Sequence, residues 1–82
     1  MTAFDNAVEN SVQQYTDLLN KIDNLMTENR AKLQSATPEQ HKQILERVDD
    51  LDTIRQQLID DVKNQGISRD VLERTERLLS IF

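Results

Sequence analysis

The chain has no cysteine and no tryptophan, and one histidine, one glycine and one proline among 82 residues. Without cysteine there is no disulfide, no thiolate metal site and no cysteine nucleophile. A lone histidine, His41, argues against zinc as well. A single glycine and a single proline argue against a loop-rich or many-turned β fold, where both recur at each reversal of the chain. No apolar run is long enough to cross a bilayer. Met1 to Asn20 carries Asp5, Glu9 and Asp17 but no lysine or arginine, the reverse of a signal-peptide start. The expectation from these absences is a cytoplasmic location. Basic charge is also short: ten Lys and Arg against fifteen Asp and Glu give a formal net charge of −5. That balance repels phosphate backbones and anionic lipid headgroups, so nucleic acid and membrane are not the expected partners.

What the chain does have is helical periodicity. Large apolar residues fall at Phe4, Val8, Val12, Tyr15, Leu18, Leu19, Ile22, Leu25, Met26 and Leu33, then at Ile44, Leu45, Val48, Leu51, Ile54, Leu58, Ile59 and Val62. Spacings of three and four mark two amphipathic helices. A shorter third stripe holds Val71, Leu72, Leu78, Leu79, Ile81 and Phe82, interrupted at Thr75.

The boundaries coincide with the rare residues. Thr37-Pro38-Glu39-Gln40 offers a threonine N-cap, proline at the first helical position and a glutamine able to return to the cap amide. Gly66 suits a left-handed helix stop of the Schellman type, with Ile67 packing back on Val62. Ser68 caps the third helix, flanked by a staple of Ile67 and Leu72. Thr2 and Asn6 are alternative caps for the first helix. The expectation is one all-α domain over residues 1–82, with helices at about 3–34, 38–64 and 69–82.

A short connection around Gln34 to Ala36 makes the first two helices an antiparallel hairpin. Matching the stripes places Met26 near Leu45, Ile22 near Val48, Leu18 near Ile54, Val12 near Leu58 and Val8 near Val62. The third helix, folded back, covers the terminal half of the hairpin and is too short to reach the bend. The bend-side seam of Ile22, Leu25, Met26, Leu33, Ile44, Leu45 and Val48 is therefore expected to need cover from a second chain, either another copy as dimer or tetramer or a helical or groove-bearing protein. Leu78, Leu79 and Phe82 join this candidate partner-binding set: docked, their segment completes a small core, and undocked it is a binding tail.

No residues assemble into a catalytic, cofactor or metal site. Glu46, Asp49 and Asp50 share a helix face with Asp52 nearby, but a continuous helix withholds the turns and carbonyls of a calcium loop. The cluster reads as a solvated face, and so does Asp60-Asp61. His41 lacks a nucleophile or orienting partner and reads as an edge residue that makes association pH-sensitive if an interface covers it. Arg69, Arg74 and Arg77 are neutralised by Asp70, Glu73 and Glu76. Acid-first pairs at Asp17–Lys21, Glu28–Lys32, Asp70–Arg74 and Glu73–Arg77 support exposed helix faces. Asn29 occupies a stripe position, where a buried amide can fix register and oligomeric state.

The Thr37-Pro38-Glu39-Gln40 bend of a small acidic hairpin resembles that of the co-chaperones that hold needle subunits of bacterial type III secretion systems. The resemblance covers the central part of the chain. It implies a cytosolic hairpin packed on a repeat-containing chaperone, keeping an aggregation-prone helical subunit soluble. The third helix, Ser68 to Phe82, departs from the family's shorter pattern. Taken together, the expectation is a non-enzymatic protein-interaction module, an adaptor, chaperone or regulator, with a self-associating structural helical bundle or coiled coil as the alternative.

Overall fold

The computed structural model describes the backbone of residues 3–82 and the side chains of residues 10–82. It contains α1 (Ala3–Lys32), a turn of 3-10 helix at Leu33–Ser35, α2 (Pro38–Gln65) and α3 (Arg69–Leu79), with no strand among the described residues. α1 and α2 form the hairpin and α3 packs on both, giving a small helical bundle. The shape is a rod of 54 × 21 × 18 Å with a radius of gyration of 15.3 Å. A compact chain of this length would have a radius near 12 Å. Elongation is a consequence of helix length, and it leaves the hairpin's flanks as surface.

The bend forms as its local chemistry dictates. The Gln40 amide donates to Thr37 Oγ1 at 3.2 Å, and the Thr37 amide donates to Gln40 Oε1 at 3.0 Å, closing the reciprocal box with Pro38 just inside the helix. The expected α-helix to residue 34 ends two residues sooner, tightening into the 3-10 turn, where the Ala36 amide donates to the Leu33 carbonyl. At the other end α1 already runs through Asn6, which is therefore not its cap; Thr2 lies outside the described residues, as do the side chains of Phe4 and Val8.

Gly66 ends α2 at φ 79°, ψ 177°. Its amide donates to the Val62 carbonyl at 2.8 Å, a single-bond stop rather than the paired bonds of a Schellman motif. The chain then extends through Ser68, whose Oγ accepts the Val71 amide at 3.2 Å. Reversal across these few residues sends α3 back along the hairpin. The helix stops at Leu79, three residues short of the expected end. Ser80 diverts its amide between the Glu76 and Arg77 carbonyls and donates its hydroxyl to Arg77 at 2.6 Å.

The core gathers Leu18, Ile22, Met26, Leu51, Leu58, Val71, Leu72 and Leu79, with Ile22 and Leu51 wholly inaccessible. Thr75, the break in the third stripe, sits in this core and satisfies its hydroxyl on the Val71 carbonyl at 3.0 Å. Its methyl completes the apolar row of α3.

Candidate functional site

α3 occupies one flank of the hairpin. Arg69, Leu72, Glu73 and Glu76 of α3 meet Asn10, Ser11, Gln14 and Leu18 of α1 along one cleft. Arg74 is ion-paired with Asp61 of α2 on the same side. On α1 the residues turned to α3 are thus Ser11, Gln14 and Leu18, spaced by three and four.

The neighbouring row of α1 runs Val12, Tyr15, Leu19, Asp23, Met26 and Arg30, and the matching row of α2 runs Leu45, Val48, Asp52, Arg55 and Ile59. Both keep the three-and-four rhythm of one helix face. They border a groove on the flank away from α3, lined by Asp23, Met26, Thr27, Arg30, Asp52 and Arg55. Arg55 Nε donates to Asp23 Oδ1 at 3.1 Å and ties the two rows together. Val12 and Leu45 are each 47% exposed, while Tyr15, Leu19, Val48 and Ile59 are half-buried. Apolar residues thus lie toward both ends of this flank, with a charged groove between them. Val12, expected against Leu58, belongs to this flank instead.

The structure divides the expected partner-binding set. Ile22, Met26, Ile44 and Leu79 are buried within the chain itself, although Met26 lines the groove just described and Ile44 a second one near the bend. Leu25, Leu33, Val48 and Phe82 are half-buried, and Leu45 and Leu78 are exposed. At the bend-side seam, where only two helices meet, Ile22, Met26 and Ile44 are dry while Leu25, Leu33, Leu45 and Val48 keep exposed surface. Lys32, Gln40, Gln43 and Arg47 surround Ile44, and Arg30 and Arg55 border Met26. Ile81, 82% exposed, lies just past α3 and was not in the expected set; its place beside Leu78 in the third stripe was the available signal.

Asn29 is buried, 6% exposed, among these seam residues. Its Nδ2 donates to the Leu25 carbonyl at 2.7 Å, and its Oδ1 is buried without a partner. His41 is exposed. None of the four expected helix-face ion pairs closes. Asp17 instead accepts Gln13 Nε2 at 2.8 Å, Glu73 turns back to Arg69, and Arg74 reaches across to Asp61. The hydrogen bond from Arg69 to Glu73, with their mutual attraction, raises the guanidinium pKa further above its usual value.

Among the described residues, no group of three or more His, Cys, Asp or Glu could hold a metal ion, and no helix is long and apolar enough to cross a membrane. The α1–α3 cleft brings together two amides, a hydroxyl, two glutamates and an arginine along two helix faces. No family model, curated protein or solved structure matches the chain.

Proposed function

We propose that this chain is a non-enzymatic protein-interaction module, a small cytosolic adaptor or chaperone that works by packing its hairpin against another polypeptide. The observation that carries the reading is the uncovered flank: Val12 and Leu45, both 47% exposed, stand toward its two ends, with the polar groove of Asp23, Arg30, Asp52 and Arg55 between them. Such a flank is the kind of surface that takes a partner helix. α3 illustrates the mode on the opposite flank, where Val71, Leu72 and Leu79 enter the seam and Arg74 pairs with Asp61. In the co-chaperone form of this reading the partner is a second chaperone or an aggregation-prone helical subunit.

The test is isolation of the tagged chain from its own cells under mild conditions, with native mass spectrometry and a melting curve of the recovered complex. A defined partner at fixed stoichiometry, with a raised melting temperature, is expected, since anything that binds only the folded chain stabilises it by mass action. A chain that travels alone and melts at the same temperature in every preparation would sink the adaptor reading. A charge placed on the flank, as Leu45→Glu, should cost partner binding without loss of helicity, because the side chain already faces solvent.

A further inference from the structure

α3 shows how the hairpin takes a helix: apolar side chains enter the seam, and Arg74 reaches Asp61 on its rim. The two rows that α3 sits between continue past its end. On α1, Leu18, Leu25 and Lys32 follow at intervals of seven, and on α2, Asp61, Ile54 and Arg47 do the same. Residues so spaced share a helix face. Leu18 borders the α1–α3 cleft, while Lys32 and Arg47 border the groove at the bend, so cleft and groove lie along one flank. About 21 Å of helix separates Leu18 from Lys32.

The bend groove differs in charge from its neighbours. Its charged lining is Lys32 and Arg47 alone, in a chain whose net charge is −5. The α1–α3 cleft includes Glu73 and Glu76, and the groove on the opposite flank includes Asp23 and Asp52. Lys32 and Arg47 are both exposed, and neither is in an ion pair among the described residues, although Glu28 stands four residues before Lys32 and Asp50 three after Arg47. Ser35 and Gln43 add a hydroxyl and an amide to the same groove. The set is one suited to a carboxylate: an arginine fork for two oxygens, a lysine from the facing helix, and neutral donors around them.

We propose that the bend groove is a second contact surface, and that its occupant is an acidic segment of a protein partner, with carboxylates set against Lys32 and Arg47. The segment answers Arg47 as Arg74 of α3 answers Asp61 on the same row of α2, with the signs exchanged. Because both cations are exposed, a single free anion gains little here, whereas a length of chain brings several carboxylates to the groove at once. This surface lies on the flank that α3 occupies, apart from Val12 and Leu45, and so goes beyond the contact proposed above.

The test uses the full chain and two labelled helical peptides, each with leucines at three-and-four spacing, one with glutamates between them and one with lysines. Binding is read by fluorescence anisotropy and mapped by amide chemical shifts. On net charge alone the lysine peptide binds better. The expected result is the reverse: the glutamate peptide binds about tenfold or more tightly, loses affinity as salt rises, and shifts the signals of Lys32, Gln43 and Arg47. Lys32→Gln with Arg47→Gln should remove this preference, and Lys32→Glu with Arg47→Glu should invert it. Both residues are exposed, and circular dichroism checks that each variant is as helical as the parent. A lysine preference, equal binding, no binding, or shifts centred elsewhere overturns the proposal. So does inorganic phosphate giving the same shifts at the same affinity, which makes the groove a site for free anions. Concentration-dependent shifts of the same residues without any peptide also overturn it, because the occupant is then a second copy. Each of these leaves the adaptor reading in place, since that reading is decided by whether the chain recovered from its cells carries a partner that Leu45→Glu releases.

Discussion

Gly66 sets the direction of α3, and the consequence can be measured with one methyl group of either hand. At φ 79°, ψ 177° the residue lies where an L side chain is rarely accommodated. A Cβ built there meets nothing within 4 Å. Any penalty for Gly66→Ala is therefore conformational, with no clash to confuse it. Forcing an L-residue to positive φ costs about 1–2 kcal/mol or somewhat more, and the reduced freedom of the unfolded chain returns about 0.4–1 kcal/mol. The net destabilisation should be about 1 kcal/mol, lowering the melting temperature by roughly 4–8 °C in a domain of this size. D-alanine, installed by chemical synthesis, inverts the sign. The mirror image of this backbone geometry falls in the broad extended region open to any L-residue, so D-Ala keeps the entropic gain without the strain. It should stabilise by about 0.4–1 kcal/mol. Urea unfolding monitored by circular dichroism on the three chains gives the comparison. If the L- and D-alanine chains unfold at the same midpoint, positive φ at Gly66 is not what turns the chain, and the account of how α3 reaches its flank fails.

The core and the surface give further expected outcomes. Leu51→Ala, at a wholly inaccessible core position, should cost about 2–5 kcal/mol in urea unfolding; a loss below about 1 kcal/mol would contradict the packing described. Asn29→Leu removes an orphaned buried acceptor and should raise stability in urea by about 1 kcal/mol or more, since an unsatisfied polar group costs about 1–3 kcal/mol; a lowered midpoint would mean that the amide is held by something beyond its Leu25 bond. A double-mutant cycle on Asp23 and Arg55, whose side chains are 53% and 37% exposed, should give a coupling of no more than about 1 kcal/mol that fades with added salt. A larger, salt-insensitive coupling would place that bridge out of solvent.

Much of the fold was legible because its signals are local. The Thr37–Gln40 box needs only residues three apart, Ser68 needs only the amide of Val71, and the three stripes announce which residues turn inward. Interactions between elements were less accessible. Spacing within a helix assigned Arg74 to Asp70, but the guanidinium found Asp61 on the neighbouring helix. Local and distant carboxylates compete at similar energies, and only packing decides between them. Likewise the stripes suggest that Ile22, Met26 and Ile44 need a second chain, whereas all three are buried within this one, with long polar residues lining the grooves beside Met26 and Ile44. Hydropathy counts those residues as polar and is blind to the methylenes in their stems.

The least legible property was sidedness, and the site depends on it. A two-helix seam has two flanks, and a stripe with three-and-four spacing is broad enough to serve either. Nothing in the rhythm of Val71, Leu72 and Leu79 says which flank α3 will enter. The choice is made by its surroundings: Arg74 meets Asp61, and Leu72 closes on Leu18 beside Ser11 and Gln14. The other flank carries Leu19 and Ile59 with Asp23 already bridged to Arg55. Once α3 is placed, the rest is determined by subtraction. Val12, Leu45 and Val48 lie on the row left over. The surface available to a partner is therefore a consequence of where the third helix went, and it is apolar because the hairpin was built with more inward-facing width than one short helix can occupy.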